Sequence, residues 1–211
     1  MKKTLIIILC FILFLTSFSS PFAYAIDKYT VTQYKDQESE DFLWETLNQY
    51  TDSQILAAAI LGFFWRESYY KSDAIAHWAT LDAQIQQDNS LIFTKEIDKG
   101  LSDGSTKNYF IEKAHNHFGG YGLGQWYSIS YLSALYDFAC EWGTSIADAE
   151  MQCAFAVWSI YNLQTKFLNN LNLNSIYDTS KWMSYIYDGS YSAYGVIYYK
   201  AKTIYKIKNA E

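Results

Sequence analysis

The chain has 211 residues and a formal net charge of −6, from 16 Lys and Arg against 22 Asp and Glu. With Arg66 as its only arginine and an acidic balance, it is a poor candidate for nucleic acid, because phosphate binding needs clustered Lys and Arg. A single proline, Pro21, and 10 glycines favour a largely helical fold, and the length suits one domain with a sizeable core.

In chain order, the first element is an expected signal peptide over residues 1–25. Lys2 and Lys3 precede an unbroken apolar run from Leu5 to Leu15, and Ala23-Tyr24-Ala25 supplies a small-x-small cleavage pattern. The run is shorter than the roughly 20 apolar residues of a permanent span, so no stable membrane insertion is expected after cleavage. Cys10 lies inside the run without the small neighbours of a lipoprotein site. The mature chain is then expected to start near Ile26, outside the cell, with an extended polar segment over 26–38.

Residues 39–211 read as one compact all-α domain. Phe42, Leu43 and Leu47 recur at helical spacing between Ser39 and Tyr50. Thr51-Asp52-Ser53-Gln54 has the form of a capping box, and behind it Ile55 to Trp65 is apolar almost all round. Such a helix belongs in the middle of a domain, and Arg66 and Glu67 stand at its far end. Residues 71–118 are the least regular part, with a loop over Asp98 to Thr106, and Gly119, Gly120, Gly122 and Gly124 follow as a cluster. A helix over Ser130 to Trp142 stops at Gly143, and another over Ser145 to Leu163 starts with Ser145 as its cap. Tyrosine-rich helices over Lys181 to Tyr187 and Ala193 to Lys208 close the chain. Cys140 and Cys153, on consecutive helices, read either as a disulfide permitted by an oxidising exterior or as two buried thiols.

Glu67 is the first chemical candidate. Eleven mainly apolar residues precede it, so its carboxyl is expected against apolar surface, where desolvation favours the protonated form. The negative end of the helix dipole acts in the same direction. An acid still protonated near neutral pH suits cleavage of a glycosidic bond. Arg66 is not expected to cancel this, since adjacent helix positions do not face each other. The plain alternative is a solvated helix-end glutamate. The second candidate is Gly119 to Trp126, where glycines admit close backbone approach. There Gln125 offers an amide donor and acceptor, and Tyr121 or Trp126 a ring to stack on a sugar. The plain alternative here is a glycine turn leading into the next helix. His115 and His117 lack flanking ligands at metal spacing, and no Gly-x-Ser-x-Gly is present, so neither a metal nor an organic cofactor is expected. The 20 tyrosines, 13 phenylalanines and 7 tryptophans suit sugar rings as well as protein cores.

Glu67-Ser68 on a buried helix, followed by Gly-Leu-x-Gln at Gly122 to Gln125, resembles the lysozyme and lytic transglycosylase superfamily. The ordered set ILAAAILGFFWRESYY, IDKGLSDGSTKNYFIEKAHNHFGGYGLGQW, YLSALYDFACEWGTSIADAEMQCAFAVWSI and WMSYIYDGSYSAYGVIYYKAKTIY resembles the phage tail lysozyme family most closely, from Ser39 to the end. That resemblance implies a lysozyme-like fold, action on peptidoglycan, and cleavage of the β-1,4 bond between N-acetylmuramic acid and N-acetylglucosamine. It also implies Glu67 as the acid, with Ser68, Gly122, Leu123 and Gln125 lining the saccharide cleft; Tyr69, Tyr121 and Trp126 join them as candidate substrate contacts read from the residues themselves. The chain departs from the family at Tyr69-Tyr70-Lys71-Ser72-Asp73, where Gly-Phe-Asn-Pro-Asn is usual, and in the neutral stretch Tyr127 to Tyr131. Asp73, with Asp82, Asp88 and Asp98, is a candidate second carboxylate. The expectations are a secreted, wall-associated, monomeric muramidase. The alternatives are a lytic transglycosylase on the same bond and a non-catalytic glycan-binding or inhibitory protein of the same fold.

Overall fold

The computed structural model describes residues 38–75, 83–164, 174–188, 191 and 193–210. The expected signal peptide and residues 26–37 of the extended segment lie outside these. The elements run α1 (Glu40–Tyr50), α2 (Gln54–Ser68), α3 (Ala83–Asp98), α4 (Lys107–Lys113), a π-helical turn (Ala114–Phe118), α5 (Ile129–Trp142), α6 (Ala149–Leu163), α7 (Ile176–Asp188) and α8 (Tyr194–Lys208). The fold is all-α, and among the described residues β pairing is confined to isolated bridges at Ile75, Tyr121 and Trp126. No helix among these residues is long and apolar enough to cross a membrane.

The apolar run after Ser53 makes α2 the central helix. Ser53 caps it by accepting from the Leu56 amide at 3.2 Å, and every residue from Leu56 to Phe64 is buried. Full burial of a Leu, Ile or Phe side chain is worth about 1.5–3 kcal/mol, so this helix anchors the domain. α8 lies along it most extensively, with α7 beside both. Gly62 permits that approach, because a Cβ there would stand 2.5 Å from the Ile197 carbonyl oxygen. On other faces Phe63 stacks on Tyr187 at 4.4 Å, and Phe64 meets Trp126 edge-on at 6.2 Å. A second group of helices completes the core, with α6 packed on α1 and α5, and α5 on α4. All of the described residues belong to one compact unit, Gln33–Glu211.

Several local expectations are corrected. Thr51 closes α1, and the cap of α2 is Ser53, whose own amide donates to Thr51 Oγ1 at 3.2 Å. The cap of α6 is Asp148, which accepts from the Met151 amide at 2.8 Å; Ser145 instead donates to Asp98 at 2.6 Å. The stretch expected to be least regular contains α3, α4 and the π-helical turn. Of the two readings left open for Cys140 and Cys153, the free thiols hold, Cys153 buried and Cys140 half-buried. The two thiols face different neighbours: Cys140 Sγ donates to the Leu101 carbonyl at 3.0 Å, whereas Cys153 is fully buried. Burial is also the main reason that the Cys153 thiol is pushed well above its ordinary value.

Candidate active site

Glu67 is the penultimate residue of α2, and the chain turns directly after it. Tyr69 and Tyr70 are both left-handed, with φ of 52° and 66°. Non-glycine residues in that region cost about 1–3 kcal/mol each and persist only where their surroundings hold them. The holding groups come from three elements. The Tyr70 ring is buried, and its hydroxyl donates to Glu40 Oε2 at 2.8 Å. Lys200 from α8 pairs with the same oxygen at 2.6 Å, and its ammonium lies 5.6 Å from the Trp65 ring centre. The Glu38 amide donates to the Tyr70 carbonyl at 2.9 Å. Burial first, and the Glu40 hydrogen bond second, push the Tyr70 phenol upward, so it stays a donor. Tyr69 has no such burial and is 50 % exposed beside Glu67.

The chain after this turn is tied to the glycine segment. Tyr121 and Trp126 exchange backbone hydrogen bonds, each 3.1 Å, which closes a tight loop. The Gly122 amide donates to the Ala74 carbonyl at 2.8 Å, and Gln125 Nε2 donates to Ala74 and Gly122 carbonyls at 2.9 Å each. The Gln125 amide nitrogen is therefore occupied in fastening the loop to the segment that follows Glu67. Gly122, at φ of 78°, has no room for a Cβ, which would meet Gln152 Oε1 at 2.6 Å.

Gln152, which sequence reasoning missed, joins the parts. It is fully buried on α6; its Oε1 accepts from the Leu123 amide at 2.7 Å. Its Nε2 donates to the Ser72 carbonyl at 2.7 Å and the Ile146 carbonyl at 2.8 Å. One side chain thus links the turn after Glu67, the glycine loop and the start of α6. The available signal was a lone amide within the apolar stretch Met151 to Val157, since a buried polar group requires partners.

The site residues expected from the sequence separate into two kinds. Gly122, Leu123 and Ser68 are buried, and the Ser68 hydroxyl donates back to the Phe64 carbonyl at 3.1 Å. Tyr121 and Trp126 are core residues, 0 % and 2 % exposed, so the expectation that either ring stacks on a sugar is corrected. Trp126 packs against Phe64 and Phe155, and Tyr121 donates to or accepts from Thr94 at 2.7 Å. Among the described residues, Tyr69 after Glu67 and Tyr127 after the glycine loop carry exposed rings, Tyr127 at 52 %.

Glu67 keeps 17 % of its side chain exposed, and Oε1 is buried with no hydrogen-bond partner. The Arg66 guanidinium nevertheless reaches it as an ion pair, a correction to the expectation that adjacent positions stay apart. The contact brings charges together without the geometry of a hydrogen bond, and a side chain as long as arginine can curl around a helix end. Of the candidate second carboxylates, Asp98 is committed elsewhere: it accepts from Ser145 at 2.6 Å and from the Ile146 amide at 2.9 Å. Burial raises its carboxyl above the ordinary range, and those two hydrogen bonds pull the other way. Asp73 stands in the segment after Glu67, where its carbonyl accepts from Ser90. Asp82 and the side chain of Asp88 lie outside the described residues. His115 Nδ1 lies 2.7 Å from the Tyr127 carbonyl, so it donates there, and His117 faces Glu112 at 3.3 Å.

A family model described as phage tail lysozyme matches residues 38–207. No curated protein and no solved structure gave a match.

Proposed function

We propose that this chain, which belongs to the phage tail lysozyme family, cleaves the β-1,4 bond between N-acetylmuramic acid and N-acetylglucosamine, with Glu67 as general acid. Family membership supports a lysozyme-like function on peptidoglycan. The observation that carries the finer reading is Glu67 itself. It stands at the end of a buried helix, is mostly removed from water, and has one buried carboxyl oxygen whose contact is the Arg66 guanidinium. A carboxyl mostly removed from water is placed to give a proton to a glycosidic oxygen, and the reading requires bound substrate to draw the Arg66 guanidinium off Oε1, because that cation favours the charged form. Ser68 and the held turn at Tyr69 and Tyr70 would fix the acid, while Tyr69 and Tyr127 would offer ring surface to sugars. In this reading the chain is exported after removal of residues 1–25 and acts as a monomer at the wall.

A lytic transglycosylase is the second reading, and Asp98, engaged with Ser145 and Ile146, is removed from the four candidates for a second carboxylate. That chemistry needs no second carboxylate, because the 6-hydroxyl of the substrate closes an anhydro ring. Mass spectrometry of purified peptidoglycan digested by the mature protein separates the two. Reducing N-acetylmuramic ends are expected, and anhydro-muramic ends would move the protein to the second reading. Glu67→Gln should lower product formation by about 10²–10⁴-fold while leaving the fold unchanged. Equal turnover by Glu67→Gln would remove Glu67 from the chemistry.

A further inference from the structure

We propose that a strip of tyrosines and lysines across α7 and α8 is a second binding surface for the peptidoglycan strand, separate from the Glu67 site. Tyr177, Lys181 and Tyr185 follow at intervals of four and share one face of α7; Tyr194, Tyr198 and Lys202 do the same on α8. The two rows are in contact, because Tyr177 meets Tyr194 at 5.7 Å and Tyr198 at 5.5 Å, edge-on in both cases. Tyr191 extends the strip by stacking on Tyr185 at 5.0 Å.

The lysines carry the argument. Lys181 Nζ lies 5.0 Å from the centre of the Tyr191 ring, and Lys202 Nζ lies 5.4 Å from that of Tyr198. Neither forms a salt bridge with a carboxylate among the described residues. Other lysines on the same helix do: Lys200 pairs with Glu40, and Lys208 with Asp41. α8 contains no Asp or Glu, although the whole chain is acidic at −6. Among the described side chains the acid beside the strip is Asp178, next to Tyr177; the side chain of Asp188, the last residue of α7, lies outside them. A cation held over a ring face keeps its outer side for an anion. Tyr177 and Tyr191 remain 43 % and 46 % exposed, with phenol edges and hydroxyls suited to sugars. A glycan whose sugars bear carboxylate-containing peptides presents both kinds of group at once, whereas a bare neutral glycan would leave the ammoniums unmatched.

The strip is not part of the catalytic end. Residues 197, 201 and 204 of α8 are buried toward α2, and Lys200 reaches Trp65 and Tyr70 on one flank. Lys202 is two positions on, about 200° further round the helix, and therefore leaves from the opposite flank. The identity of the polymer rests on the proposed action on peptidoglycan; the existence of the surface does not depend on turnover.

The test uses the full mature chain carrying Glu67→Gln, sedimented with insoluble peptidoglycan freed of attached phosphate polymers. Adding Lys181→Gln and Lys202→Gln should weaken binding at least five-fold. In the chain with Glu67 intact, the same two changes should leave hydrolysis of short soluble fragments unaltered and slow that of the insoluble wall. Unchanged sedimentation would overturn the proposal, as would binding that appears only when the phosphate polymers are left attached. If wild type released no glycan products yet the lysine changes still abolished sedimentation, the catalytic reading would fail and the surface would stand.

Discussion

Two buried polar residues show how much can rest on single groups. Gln152 satisfies three buried backbone groups, and an apolar replacement strands all of them. An unsatisfied buried group costs about 1–3 kcal/mol, so Gln152→Leu should destabilise by about 2–4 kcal/mol, or roughly 5–15 °C in Tm. Because Ser72 and Leu123 belong to the turn and loop flanking Glu67, turnover should fall with stability; thermal unfolding and product release on the same samples check both. Asp98 gives a pH-dependent case. Its folded carboxyl is raised above the ordinary value of 3.8, mainly by burial. A raised acid contributes fully to stability below its unfolded value and loses that contribution as pH rises through its folded value. Asp98→Asn should therefore cost most near pH 4 and less at pH 7. A stability gap between the two proteins that widens toward pH 7 would contradict this.

At the scale of elements, legibility followed the completeness of the apolar stripe. α2 was readable because nearly every position is apolar, and the stop of α5 at Gly143 because that residue adopts φ of 70°. α3 was hidden although Ser90, Phe93, Thr94 and Ile97 form a buried stripe at helical spacing. Two of those four are polar, and the apolar Leu91 and Ile92 fall off the stripe, Ile92 pointing outward at 58 % exposure. The glycine loop was legible as a cluster in the sequence, but its rings were assigned to the wrong side. Sequence does not say that Tyr121 finds Thr94 or that Trp126 fills the space beside Phe155. Glu67 was singled out because it follows an apolar helix, whereas the Glu40, Tyr70 and Lys200 clamp required contacts between three distant segments. Gly62 offers a test of the packing between α2 and α8. Alanine is the better helix former by about 1 kcal/mol, yet its Cβ would stand 2.5 Å from the Ile197 carbonyl oxygen. Overpacking of this kind costs about 1–3 kcal/mol, and the obstacle is backbone, which has little freedom to yield. Gly62→Ala should lower the urea midpoint; a raised midpoint would mean that the helices separate at small cost.

For the whole molecule, the charge distribution sets a division between approach and attachment. The chain carries −6 overall, and removal of Lys2 and Lys3 with the leader would make it more acidic. A wall bearing carboxylates is also anionic, so the long-range field offers no steering toward it. Attraction is local, through Lys181 and Lys202, and acts within a few ångströms of the surface. Salt separates these effects, because exposed charges further apart than a Debye length, about 8 Å at 0.15 M, are largely screened. Hydrolysis of short soluble fragments at constant pH should therefore change less than about two-fold between low and physiological salt, since no attractive field is there to be screened. A steep fall in that rate as salt is added would show that long-range attraction does guide the substrate. In that event the cations responsible would have to lie near Glu67, with Arg66 and Lys71 the first to replace.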